Sequence, residues 1–170
     1  MIVMPKLTVR GFTLVELLVV MSIVAILATL GMTIYSTVLK NSRDSKRQAD
    51  LATHIQPALE QYFADQLYYP VLGTGSCPAT PSVDDGKFRM GCALRNSGGT
   101  KTYSQSLPAD PITSNYPPYQ YVPSPADCNN PANCTSYCLY AKMENKTSLL
   151  AACADQTSGS VTYDFELTVP

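Results

Sequence analysis

Tryptophan is absent from this chain, histidine occurs once, and only 15% of its 170 residues are charged. Each shortage excludes something. A single histidine, His54, gives no histidine pair for a catalytic metal. The P-loop, dinucleotide fingerprint, G-x-S-x-G and H-E-x-x-H patterns are missing too. The acidic residues are scattered, so no acid–base pair stands out and no enzyme is expected. Twelve Lys/Arg against 13 Asp/Glu give a net charge of −1, without the cationic excess that phosphate neutralisation requires, so no nucleic-acid partner is expected. The shortages are unevenly placed. No charge occurs between Leu17 and Leu39, no cysteine precedes Cys77, and eleven of the 13 prolines follow Tyr69. The chain therefore has two unlike halves.

The first half is dominated by FTLVELLVVMSIVAILATLGMTIY, Phe12 to Tyr35. About 20 apolar residues rising 1.5 Å each cross a bilayer core of roughly 30 Å, and a soluble core helix of this length would carry a polar stripe that is missing here. A secretory signal has an apolar region of roughly 7–15 residues and a small-x-small cleavage site. This run is longer, and a cut after Ala28 would put Ile26 at the first small position. A plain anchor is the other reading, with Lys6 and Arg10 holding the N-terminus in the cytoplasm. Glu16 does not suit a plain anchor. A carboxylate inside the apolar run costs about 2.5–3.5 kcal/mol and needs a partner. Cleavage at Arg10-Gly11-Phe12 would free an α-amine at Phe12, at the depth of that carboxylate. In parallel staggered packing, a neighbour's amine is the natural partner for Glu16.

The stretch RGFTLVELLVVMSIVAIL (Arg10 to Leu27) resembles the class III signal of type IV prepilins and pseudopilins. In that family prepilin peptidase cuts after the glycine and N-methylates the new first residue, and the apolar helices then bundle into a thin filament. The resemblance implies a leader peptide over residues 1–11, cleavage between Gly11 and Phe12, N-methylation of Phe12, and Glu16 as the buried carboxylate that sets register. It also implies partners: further copies of the chain, other pilins or pseudopilins, prepilin peptidase, an assembly-platform membrane protein, and membrane lipid. The precursor would be a single-pass protein of the bacterial cytoplasmic membrane with its head outside the cytoplasm, and later part of a filament in the periplasm or at the cell surface. Relatives carry a proline about five turns past the glutamate. Gly31 and Thr33 stand there in this chain, and Gly31 lowers helix propensity by about 1 kcal/mol relative to alanine.

Residues 12–39 form the filament-core segment in this reading, and residues 40–69 its amphipathic continuation. KNSRDSKR (Lys40 to Arg47) reads as a solvated face at the membrane exit, or as a contact to anionic lipid or a neighbour's acidic surface. Leu51, Ile55, Ala58/Leu59, Tyr62/Phe63 and Leu67 recur at helical spacing, which predicts one long helix from about Phe12 to Leu67 with a single buried face. Pro57 predicts a kink or break near Thr53–Pro57, with His54 an exposed or capping residue beside it. Tyr69-Pro70 ends the helix. The segment Ala49–Pro70 resembles the helix end of the major-pseudopilin branch, with Leu67 where that branch has glycine, so a differently shaped helix end is expected.

Residues 70–170 form a Cys/Pro/Tyr-rich head. Val71–Gln105 reads as loop, and strands are predicted at about 119–122, 136–143 and 161–169, the last from strict alternation over nine residues. Asp110-Pro111, Tyr119-Gln120-Tyr121 and Tyr137–Glu144 resemble segments of the same branch. The expected class is α+β and pilin-like: a long N-terminal helix, membrane-spanning and then amphipathic, packed on a small antiparallel sheet. Cys77, Cys92, Cys128, Cys134, Cys138 and Cys153 read as a disulfide framework in an oxidising compartment. Cys77–Cys92 is the local pairing, and several pairings of the other four stay open. Zinc is the competing reading, but the Cys128-x5-Cys134-x3-Cys138 spacing lacks a ligand pair of the usual kind. Asp127 and Asp155 are isolated and Asp84-Asp85-Gly86 is a short acidic turn, so the glycine-rich acidic calcium loop that major pseudopilins often carry is not apparent; no cofactor is expected, and calcium stays the open alternative. Tyr116, Tyr119 and Tyr121 read as packing on the sheet rather than as a ligand platform. The leading expectation is a structural filament subunit, nearest a type II secretion pseudopilin. Pilins for adhesion, motility or DNA uptake share the same motifs. A monomeric, membrane-anchored, disulfide-rich binding module is the alternative from another class.

Overall fold

A computed structural model describes residues 11–112, 119–125, 128, 134–145, 157–158 and 161–169. The chain divides into two compact units, one up to Leu39 and one from Lys40 onward. Among the described residues the first unit holds one helix, α1, which begins at Leu14 and runs on to Ala49 in the second. It is long and apolar enough to cross a membrane. Its large side chains from Leu14 to Leu39 are exposed to the surroundings of the chain. The helix passes through Gly31 without interruption.

In the second unit the helix does not simply kink before Pro57. Asp50–Ile55 winds as a π-helix, and α2 follows over Gln56–Gln66 with Pro57 in its first turn. The Gln56 N–H reaches back five residues, to the Leu51 carbonyl. Proline offers no N–H and its ring crowds the carbonyl four residues behind. A wider turn relieves that clash while the chain stays helical. The extra residue also sets register, because Leu51 and Ile55 are fully buried in line with Ala58, Leu59 and Tyr62. His54 lies exposed on the outer side, its Nδ1 3.0 Å from Thr53 Oγ1.

The expected stripe ends sooner than the pattern suggested, since Leu67 is 78% exposed. It caps α2 in the left-handed conformation, φ 64° and ψ 17°, and its N–H bonds the Phe63 carbonyl at 2.8 Å. The helix end thus has the shape a glycine would give it, at a cost to leucine of about 1–2 kcal/mol. The expectation of a different shape fails because the next residues are held in place. Tyr69 N–H bonds the Cys134 carbonyl at 2.9 Å and its hydroxyl bonds Glu60.

β3 (Gln120–Ser124), β4 (Ser136–Ala141) and β7 (Phe165–Thr168) form an antiparallel sheet in the order β3-β4-β7. Tyr121 on β3 and Tyr137, Leu139 and Ala141 on β4 meet the helix stripe in one core with Phe88, Leu94 and Leu107. Fully burying each large apolar side chain contributes roughly 1.5–3 kcal/mol. The architecture is the α+β, pilin-like arrangement of a long N-terminal helix and small antiparallel sheets. The last predicted strand is divided. β6 (Val161–Thr162) pairs with β5 (Thr157–Ser158), and only β7 joins β4. Phe165, Leu167 and Val169 pack on the core as the alternation predicts, but Glu166 on the other face is 2% exposed. It sits opposite the buried Tyr140, so both faces of the sheet are covered there. Inside the stretch read as loop, β1 (Leu94–Arg95) and β2 (Thr102–Ser104) make a short hairpin.

The charged run at the start of this unit is half interior. Arg47 is fully buried. It donates to both oxygens of Asp110 at 2.7 and 3.1 Å, to Asp44 at 2.9 Å and to Glu144 at 3.1 Å. Arg43 forks onto Glu144 with two bonds of 2.6 Å. Asp44 accepts the backbone N–H groups of Glu144 and Asn145, both at 2.9 Å, and Asp50 accepts the Tyr119 hydroxyl at 2.8 Å. The solvated reading of Lys40–Arg47 therefore holds for Lys40 and Lys46, which are exposed, and fails for Asp44 and Arg47. Burial pulls the Arg47 pKa down, but Asp110, Glu144 and Asp44 together hold it above its ordinary value. Arg43 first, then Arg47, holds the Glu144 carboxyl below the usual range, against its own burial.

Two predictions follow from this packing. Arg47→Met leaves three carboxylates without their shared cation and should cost about 3–5 kcal/mol, read by denaturant unfolding of the full chain in detergent micelles. Because the Glu144 pKa is lowered on folding, its stabilisation is present above the ordinary carboxyl pKa of 4.5 and lost as pH falls below it. Unfolding midpoints should be level near neutrality, drop below that pH, and drop less in Glu144→Gln. Two backbone positions give opposite signs. A Cβ on Gly99 (φ +64°) would sit 1.8 Å from the Pro81 carbonyl oxygen, so Gly99→Ala should destabilise by more than about 1 kcal/mol. Leu67→Gly should be neutral to stabilising, up to about 1 kcal/mol, as relief of strain outweighs glycine's entropy.

Candidate processing and assembly site

The N-terminal features singled out in the sequence lie together at the start of α1. Gly11, Phe12 and Thr13 precede the helix and are exposed, and Phe12 is 81% exposed. A Cβ at Gly11 would meet nothing within 4 Å, so this chain's own packing does not require glycine there. Helical bonding starts at Thr13, whose carbonyl accepts the Leu17 N–H at 3.2 Å and whose Oγ1 accepts the Glu16 N–H at 3.2 Å. Thr13 is thus the N-cap and Glu16 the third helical residue. The sequence reading missed this role for Thr13. The signal was available, because Thr-x-x-Glu directly before an apolar run is a capping-box pattern.

Glu16 lies in the first turn of α1, where the helix dipole favours an anion by about 0.3–1 kcal/mol. That is smaller than the roughly 2.5–3.5 kcal/mol cost of a carboxylate in hydrocarbon, so the dipole alone does not settle it. Other polar side chains in the run are served within the helix: Ser22 Oγ donates to the Val19 carbonyl at 2.7 Å and Thr29 Oγ1 to that of Ile26 at 2.8 Å. Among the described residues no hydrogen bond or ion pair reaches the Glu16 carboxylate. A cation at the depth of the helix start is what the described residues lack.

The head supplies no rival site among the described residues. No group of three or more His, Cys, Asp or Glu that could hold a metal occurs there. Asp84 is buried, accepts the Gly86 N–H and pairs with Arg95, while Asp85 is forked by Arg89. That bond holds the Asp85 pKa down to about 2, against partial burial. Asp127 and Asp155 lie outside the described residues. Cys77 is bonded to Cys92 and Cys128 to Cys134, and Cys138 is disulfide-bonded as well. None of these sulfurs is a thiolate for zinc. Cys153 lies outside the described residues. Tyr119 and Tyr121 are buried, the latter stacked on Phe88 at 4.2 Å with its hydroxyl on the Pro70 carbonyl. They are core, not platform, and Tyr116 lies outside the described residues.

Residues 7–32 match the family model of the prokaryotic N-terminal methylation motif. The match takes in Gly11, Phe12, Thr13, Glu16 and most of the apolar part of α1, and it stops short of the head. No curated protein and no solved structure matches the chain.

Proposed function

We propose that this chain is a structural subunit of a type IV pilus-like filament, nearest the major pseudopilin of a type II secretion system. The methylation-motif match supports a type IV pilin-like or pseudopilin subunit. The observation that carries the proposal is the coincidence of that motif with an exposed Gly11–Phe12 junction and a Glu16 carboxylate that has no partner among the described residues, at the start of an exposed apolar helix. The precursor waits in the cytoplasmic membrane with its head outside the cytoplasm. Prepilin peptidase cuts after Gly11 and methylates the Phe12 amine. An assembly-platform membrane protein then hands the subunit to the growing filament, in the periplasm or at the cell surface.

The apolar helix drives assembly and Glu16 directs it. In the membrane the carboxylate is unsatisfied, whereas beside the amine of a neighbouring Phe12 it is paired, so the paired register is favoured by most of the insertion cost. The resemblance of the α2 end and of the Tyr119–Tyr121 and Tyr137–Glu144 segments to the major-pseudopilin branch supports the secretion assignment. Exposed Lys40 and Lys46 meet anionic lipid headgroups before assembly.

Gly11→Leu should leave uncut precursor, heavier by the leader mass on a gel, while the head stays folded because nothing packs on Gly11. Normal cleavage of that variant contradicts the assignment. Glu16→Ala should be cut normally but yield at least about tenfold fewer filaments by electron microscopy, and a normal yield contradicts the pairing role.

A further inference from the structure

The backbone N–H of Glu16 has two acceptors within reach of a helix start. One is the carbonyl of Phe12, four residues back, which a helix running further toward the N-terminus would use. The other is the hydroxyl of Thr13. The structure shows the second, at 3.2 Å, with the first helical residue at Leu14. The choice decides the state of the bond to be cut. Were the Phe12 carbonyl engaged by Glu16, the N-cap would move from Thr13 to Phe12, and the next bond back, from the Val15 N–H, would take up the Gly11 carbonyl of the bond to be cut. A peptidase needs that amide open on both faces, to reach the carbonyl carbon and to protonate the departing nitrogen. The pressure to wind is real, because unpaired N–H groups at an apolar boundary cost free energy that further helix would recover. A hydroxyl that accepts one of them removes part of that pressure.

We propose that Thr13 is a positioning residue for leader removal. Its hydroxyl ends α1 before Phe12 and keeps the Gly11–Phe12 bond unwound and presented to the peptidase. The surroundings agree, since Phe12 is 81% exposed and nothing lies within 4 Å of a Cβ at Gly11. The inference rests on the reading of the chain as a cleaved filament subunit.

The test uses the full-length precursor in detergent micelles with prepilin peptidase, following cleavage on gels at several substrate concentrations. Thr13→Val keeps the shape of the side chain and removes the acceptor. If the cap sets the fraction of precursor with an open bond, KM rises about fivefold, the equivalent of about 1 kcal/mol, with kcat unchanged. Thr13→Ser and Thr13→Asn restore an acceptor and should return KM to the wild-type value. A wild-type KM in Thr13→Val overturns the proposal. So does a fall in kcat alone, or Ser and Asn variants as impaired as the valine one. Gly11→Leu, run alongside, separates the two ideas: its normal cleavage sinks the subunit reading itself, whereas its block beside an unimpaired Thr13→Val sinks only the role of Thr13.

Discussion

A charge removed from water has to find a counter-charge, and both halves of this chain are organised by that constraint. In the head it is met internally. Arg47, fully buried, is shared by Asp44, Asp110 and Glu144, and Arg43 completes the set. In the apolar helix the same constraint is left open. Glu16 has its backbone N–H capped by Thr13, but its carboxylate has no partner among the described residues. The Arg47 cluster is closed among the described residues, whereas Glu16 leaves a charge to be met, and the proposed filament contact would meet it.

The ion cluster also explains how the helix becomes part of the head. Arg43, Asp44, Arg47 and Asp50 fall on one face of the turns that lead into Leu51 and Ile55. A polar interior thus passes directly into the apolar one. The π-helical turn makes the junction, because it accommodates Pro57 and keeps Leu51 and Ile55 aligned with Leu59 and Tyr62. At the other end, Leu67 accepts a left-handed conformation because Tyr69 is tied to Cys134 and Glu60. Backbone strain at one residue is offset by bonds two residues away.

Much of this was legible in the sequence. The apolar run, the amphipathic spacing from Leu51 to Tyr62 and the β3 and β4 strands each express a single local period, and local periods survive folding. The Gly11-Phe12 junction and Glu16 stood out because a carboxylate inside an uncharged run is visible locally, and they lie within the matched methylation motif. What was not legible depends on residues far apart in the chain. Asp110 and Glu144 lie 63 and 97 positions from Arg47, so nothing near Lys40–Arg47 marks half of that run as interior. The splitting of the last strand has the same origin, since alternation reports which side a residue faces but not which strand it pairs with. Pro57 announced a disturbance, and only the observed bonding shows a widened turn rather than a kink. Thr13 was missed for a different reason: its capping pattern was local and visible, but the apolar run beside it drew the reading toward the membrane.

The central claim is that the chain is cut and methylated so that a new amine can meet Glu16. Mass spectrometry of the N-terminal peptide from the protein recovered from its native membranes tests it most directly. The account predicts a peptide that begins at Phe12, carries one methyl group on its α-amine and lacks Met1–Gly11. A peptide that retains Met1, or an unmodified chain starting elsewhere, would contradict it and leave a plain membrane anchor in its place.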